Sequence, residues 1–89
     1  MSRDDLRGTL TALLEEEMGE AYDLADDRDL REGLGLDSVD VVGLVMRVER
    51  EFRVRLSMED LQGVRTVGEL IDLLQAKLEA RSDDDSQAA

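Results

Sequence analysis

Three stretches of this chain set aliphatic residues three and four positions apart, the repeat of one face of an α-helix. Leu6, Leu10, Leu13 and Leu14 form the first, extended by Met18. Val41, Leu44, Val45, Val48 and Phe52 form the second, and Val67, Leu70, Ile71, Leu74 and Leu78 the third. Three such faces are core faces, and together they predict a compact helical bundle. Its interior must be aliphatic, because Tyr22 and Phe52 are the only aromatic residues and there is no tryptophan. At 89 residues the chain is near the lower end of what a single core holds together, and without cysteine no disulfide can assist it.

Caps and breakers give the boundaries. Ser2 can cap a first helix over residues 3–18, with Asp4 and Asp5 in its positive first turn and Gly19 as its stop. Residues 19–36 have no clean period; Leu24, Leu30, Leu34 and Leu36 are spaced as pegs that fasten a long connection to the bundle. A short turn is expected near Asp29–Glu32, and Gly33 and Gly35 around Leu34 suggest a tight approach before the next helix. Asp37 stands in capping position with Asp40 three residues on, opening a central helix from Ser38 to Phe52. Ser57 can cap a short helix near Met58–Gln62 that Gly63 ends, and Thr66 with Glu69 opens the last helix. The expectation is an all-α, four-helix bundle, three helices long and one short, with a long first loop. The domain is expected to span residues 1–81, with residues 82–89 a disordered acidic tail.

Composition removes several kinds of chemistry. With no histidine and no cysteine, a Ser-His-Asp triad, a Cys-His pair and a thiolate or histidine zinc site are all absent. The acids in residues 23–32 do not match a calcium loop, which needs a central glycine and a terminal glutamate. A formal charge of −12 repels nucleic-acid phosphates and anionic lipid and attracts proteins with basic patches. No apolar run approaches the ~20 residues of a membrane span, and the N-terminus lacks a signal-peptide profile. The expectations are a cytoplasmic monomer with no nucleic-acid partner, no membrane insertion, no metal and no catalytic residue of its own.

Ser38 is the residue that composition leaves unexplained. A serine in a first helical turn is ordinarily a cap, but Asp37 already holds that position, which frees Ser38 to point outward. It has no base at hand to make it a nucleophile unaided, yet another enzyme can modify it. A phosphate ester there would lie at a helix N-terminus, which favours an anion. Beside the core stripe, Val39, Val42 and Met46 form a second apolar set on the central helix. Read from the residues alone, that set is either the edge of a wide buried arc or an exposed strip for a partner.

The run Gly35-Leu36-Asp37-Ser38-Val39-Asp40 resembles the prosthetic-group attachment motif of the acyl carrier proteins. The likeness continues through Val41-Val42, Leu44-Val45-Met46 and Glu49-Arg50-Glu51-Phe52. It resumes at Val54, Leu56, Glu59-Asp60, Val64 and Thr66-Val67-Gly68-Glu69-Leu70, covering most of the chain in the correct order. The resemblance implies a carrier rather than an enzyme. In it Ser38 is esterified with 4'-phosphopantetheine by a separate phosphopantetheinyl transferase, and the thiol of that arm holds acyl groups as thioesters. It makes Gly35, Leu36, Asp37, Val39 and Asp40 the residues of motif and transferase recognition. Val39, Asp40, Val42, Gly43, Met46, Glu49 and Arg50 become a partner interface, with at least partial exposure of Val39 and Met46. Leu44, Val45, Val48, Phe52, Ile71 and Leu74 become core, some of them also lining a space for an acyl chain. The implied partners are a ketosynthase, an acyltransferase or acyl ligase, and other enzymes with basic docking patches.

Two departures from the family pattern bear on which enzymes those are. Gly43 and Arg50 stand where carboxylates are common, and residues 47–55 carry four arginines against two glutamates. Residues 23–40 carry seven acids against two arginines, so the negative field gathers around Ser38. The arginines either form a solvated face with Glu–Arg pairs or discriminate among partners. Gly43 costs about 1 kcal/mol of helix propensity relative to alanine; it either lets a partner backbone approach or is simply tolerated. The function expected is a discrete acyl carrier for polyketide or fatty-acid-like biosynthesis, with a specialised pathway preferred over housekeeping synthesis. The alternatives are a peptidyl carrier of nonribosomal synthesis, whose run before the serine is usually of a glycine- and histidine-type, and a helical adaptor that carries nothing.

Overall fold

The computed structural model describes the backbone of residues 2–88 and the side chains of residues 2–80. Its elements, in chain order, are α1 (Arg3–Met18), α2 (Ser38–Phe52), α3 (Met58–Gln62) and α4 (Val67–Ala88). This is the four-helix arrangement expected, three long and one short, with α1 packed against both α2 and α4. The expectation of a disordered tail falls on residues 82–89, whose side chains lie outside the described residues.

Each helix starts where a side chain can satisfy its first unpaired N–H groups. Ser2 Oγ accepts from the Asp5 N–H at 3.1 Å while the Asp5 carboxylate accepts from the Ser2 N–H. Ser57 and Asp60 repeat this reciprocal box at α3, and Thr66 and Glu69 at α4. Gly19 closes α1 with φ 75°, a left-handed turn that glycine adopts without a steric penalty. α2 ends differently, on Arg53 at φ 55°, whose N–H donates to the Glu49 carbonyl.

All three stripes face inward. Leu6, Leu10, Leu13 and Leu14 of α1 meet Leu44, Val45, Val48 and Phe52 of α2 and Val67, Leu70, Ile71 and Leu74 of α4 in one buried cluster. Leu24, Leu30, Leu34 and Leu36 enter the same cluster, so the first loop is pegged as its leucines suggested. The loop is also stitched by its backbone to the start of α4. Leu30 N–H donates to the Arg65 carbonyl and Val67 N–H to the Arg28 carbonyl, both at 2.9 Å, around an isolated bridge between Asp29 and Thr66. Gly68 N–H donates to the Asp26 carbonyl, and a Cβ on Gly68 would stand only 3.1 Å from Asp26. The Asp26 carboxylate in turn pairs with Arg3 at 3.2 Å and Arg7 at 2.5 Å on α1, and Arg7 foremost holds it below the usual carboxylate range. One loop residue thereby ties α1 to α4. The result is a fixed approach to α2, which positions Ser38.

Candidate functional site

The approach to α2 is built residue by residue. Asp29 accepts from the Arg31 and Glu32 N–H groups at 2.8 and 2.9 Å, which lowers its pKa and folds residues 30–34 into the expected turn. The turn closes when Leu34 N–H donates to the Asp29 carbonyl at 3.1 Å. A Cβ on Gly33 would lie 2.7 Å from that carbonyl oxygen, so the close approach requires glycine there. Gly35 follows at φ 71°, the second position where a side chain would be strained. Leu36 is buried and anchors the chain immediately before the helix. It therefore holds the turn from beneath.

Asp37 then caps α2. Its carboxylate accepts from the Asp40 N–H at 2.8 Å, and Asp40 reaches back to the Asp37 N–H at 3.3 Å. With the cap supplied by this pair, Ser38 is the first helical residue, is exposed, and has no hydrogen bond to its hydroxyl among the described residues. Tyr22 lies in the field of Asp40, and its hydroxyl donates to Glu20 at 3.2 Å. Partial burial first, then the neighbouring carboxylates, raise its pKa. Nothing in the periodicity singled out Tyr22, because it lies in a loop whose path to α2 is set by long-range packing.

Along α2 the two apolar sets separate cleanly. Leu44, Val45, Val48 and Phe52 are buried, and Ile71 and Leu74 of α4 are sealed against them. Val39, Val42 and Met46 are 78%, 57% and 62% exposed, which resolves the choice left open by the residues in favour of an exposed strip. Gly43 turns toward α1, where a Cβ would stand 2.5 Å from Glu17 Oε1. Arg47 bridges the same crossing, its Nε 2.5 Å from Glu17 and its Nη1 3.0 Å from Glu16. Gly43 thus has a neighbour within the bundle that the sequence reading did not name. Glu49 is half-buried and its carboxylate accepts from the Leu56 N–H at 2.9 Å, closing the α2–α3 connection. Arg50 is exposed.

Among the described residues no cluster of three or more acids is arranged to hold a metal ion, and no helix is long and apolar enough to cross a membrane. What the site offers is an exposed hydroxyl on a capped helix start, beside an apolar strip.

Comparison with known proteins places that geometry. Residues 8–74 match the family profile described as "Phosphopantetheine attachment site". The chain is 36% identical over 74 residues to an acyl carrier protein of Saccharopolyspora erythraea, covering 82% of this chain and 78% of the relative. It is 32% identical over 78 residues to an acyl carrier protein of Thermotoga maritima, covering 86% and 96%. The crystal structure of a Thermotoga maritima acyl carrier protein superposes with a TM-score of 0.78 at 36% identity, over 90% of this chain and 94% of that one. The solution structure of a holo acyl carrier protein from Geobacter metallireducens has the same fold at 21% identity, with a TM-score of 0.76 over 85% and 88%. The solution structure of the oxytetracycline acyl carrier protein gives a TM-score of 0.66 at 29% identity, over 91% and 85%. In profile, relatives and fold alike, the chain belongs to the acyl carrier protein family of phosphopantetheine-attachment domains.

Proposed function

We propose that Ser38 is the residue to which 4'-phosphopantetheine is attached, and that the protein carries acyl groups as thioesters in polyketide or fatty-acid-like biosynthesis. The observation that carries this reading is the exposed Ser38 hydroxyl at the head of α2, free of capping duty because Asp37 and Asp40 cap each other. An unencumbered hydroxyl on a rigid turn fits a group joined through a phosphate ester. In the attachment step Ser38 Oγ bonds to the pantetheine-side phosphorus of coenzyme A, and the bond from that phosphorus to the bridging anhydride oxygen breaks. The nucleotide leaves and the serine proton passes to a base of the transferase, since this chain has no histidine to receive it. When bound, the arm supplies the thiol that a chain without cysteine lacks.

The other residues position and admit. Gly33, Gly35, Leu36 and the Asp37–Asp40 box hold the turn in one geometry for the transferase. Val39, Val42 and Met46 offer an apolar footing beside the serine for the ketosynthase, acyltransferase or acyl ligase that follows. The interior around Leu44, Val45, Val48, Phe52, Ile71 and Leu74 is the proposed lining for a sequestered acyl chain. An acyl rather than a peptidyl cargo is supported by the run Gly35-Leu36-Asp37-Ser38, which lacks the glycine- and histidine-type sequence of peptidyl carriers. Likeness to the oxytetracycline protein supports a specialised pathway, as do Gly43 and Arg50. The protein is proposed to work as a cytoplasmic monomer.

Incubation with coenzyme A and a broad-specificity phosphopantetheinyl transferase, followed by intact-mass measurement, tests the reading. A gain of one phosphopantetheinyl group is expected. A folded wild-type protein that gains nothing is an adaptor and not a carrier.

A further inference from the structure

Between the buried Leu24 and Leu30 the first loop has no apolar anchor, since Ala25, Asp26, Asp27, Arg28 and Asp29 are all half-buried or exposed. Residues 23–29 also carry four carboxylates, Asp23, Asp26, Asp27 and Asp29, against the single cation Arg28. Like charges this close together repel, so neither burial nor the charge of the stretch itself holds its path.

Two guanidiniums hold it instead. Arg7 on α1 forks onto the loop, its Nη1 donating to the Leu24 carbonyl at 2.6 Å and its Nη2 to the Asp26 carboxylate at 2.5 Å. Arg3 adds a contact to Asp26 at 3.2 Å and also pairs with Asp72 of α4. Arg28 works from inside the loop. Its N–H donates to the Ala25 carbonyl at 3.0 Å, its carbonyl accepts from the Val67 N–H, and its Nη1 donates to the Gly33 carbonyl at 3.2 Å. Gly33 packs against Asp29 and stands two positions before the left-handed Gly35. A succession of hydrogen bonds therefore runs from α1 to the turn that precedes Ser38.

We propose that Arg7 and Arg28 are positioning residues for the modification of Ser38, holding loop residues 24–33 in the geometry that presents the Ser38 turn to the transferase. The inference rests on the carrier reading and extends it to two residues outside the attachment motif. A loop freed from this geometry offers Ser38 correctly only part of the time. The apparent affinity of the transferase falls by that fraction, whereas the chemical step that follows docking is unchanged. Arg7→Lys separates charge from shape, because an ammonium keeps the charge but lacks the planar fork that reaches two acceptors at once.

The test measures the rate of phosphopantetheine attachment against carrier concentration, by intact mass, with coenzyme A saturating. Wild type is compared with Arg7→Met, Arg28→Met, Asp26→Asn and Arg7→Lys. Arg7→Met and Arg28→Met are each expected to raise KM about fivefold with kcat unchanged, as for a competent fraction cut to about one fifth. Asp26→Asn should raise KM in the same direction although both arginines remain, and Arg7→Lys should recover part of the loss. Amide hydrogen exchange is read on the same variants. The Leu30, Val67 and Gly68 N–H groups should exchange faster, while Val48 and Leu74 in the helices keep their protection. An unchanged KM in the methionine variants overturns the inference. So does an Asp26→Asn protein that behaves as wild type, because the arginines would then act by touching the transferase directly. Equal loss of protection at Val48 and Leu74 also overturns it, since the effect would be general destabilisation. Failure of the wild type to load at all counts against the carrier reading instead, and is seen before any variant is compared.

Discussion

The two faces of α2 carry the same kinds of side chain and meet opposite fates. Leu44, Val45 and Val48 are buried in the common core, while Val39, Val42 and Met46 on the other side of the same helix stand in solvent. Hydrophobicity alone therefore does not decide burial in so small a bundle. What decides it is whether a neighbouring helix is there to cover the face, and α1 and α4 are enough to cover one side of α2 only. Contiguous exposed apolar surface is the kind of feature that marks interaction sites on proteins. Here it starts next to Ser38, whose hydroxyl the Asp37–Asp40 cap leaves free.

The sharpest way to break this comparison is to truncate both faces by similar amounts. Leu44→Ala should cost about 3 kcal/mol, from lost burial plus the cavity left behind. Met46→Ala, two residues on, should stay within about 0.5 kcal/mol of wild type. Urea unfolding followed by circular dichroism measures both, and equal costs would erase the distinction between the faces. At the head of the helix, Asp37→Ala removes the cap that frees Ser38 and should cost about 1 kcal/mol in the same assay.

Gly43 sharpens the comparison where the faces meet. Gly43→Ala gains about 1 kcal/mol of helix propensity, but its Cβ must displace the end of the Glu17 side chain. That movement also loosens the pair with Arg47, which is worth at most about 1 kcal/mol at a surface. A small net stabilisation, of about 0.5 kcal/mol, is expected after these opposing effects. It should grow in an Arg47→Ala background, where there is no pair left to lose. The smallest effect lies away from α2, at the contact between α3 and α4. Lys77, 2.8 Å from Asp60, is the main cause that holds the Asp60 pKa at about 2, below the ordinary 3.8, with the Ser57 N–H and hydroxyl adding to it. A lowered pKa means that this contribution is present above 3.8 and is lost as the pH falls toward 2. In Lys77→Met, NMR titration should find Asp60 nearer the ordinary value, with the acid limb of the stability curve correspondingly flatter.

The helices were legible in the sequence because their ends are written in side chains. Ser2, Asp37–Asp40, Ser57 and Thr66–Glu69 each announce a helix start by a local hydrogen bond, and the structure begins its helices there. The turn before Ser38 was legible for the same reason, since Gly33 and Gly35 mark positions that side chains cannot occupy comfortably. Backbone pairing leaves no such mark. The stitches from Arg28 and Leu30 to the start of α4 join residues distant in sequence through N–H and carbonyl groups that every residue has. The contacts of Gly43 with Glu17, and of Asp26 with Arg3 and Arg7, depend on how helices cross and where a loop is laid. Arg53 ends α2 in a conformation usually given to glycine, so its sequence offers no stop signal there. The exposed strip could be placed on a face by its spacing, but its exposure had to await knowing which helices cover α2.

The most direct measurement is tandem mass spectrometry of the protein after exposure to coenzyme A and a phosphopantetheinyl transferase, with Ser38→Ala in parallel. The account predicts a phosphopantetheinyl group on the wild-type peptide containing Ser38, and none on Ser38→Ala, whose helical circular dichroism is unchanged. Modification of Ser38→Ala, or a folded wild type that remains bare, would contradict it.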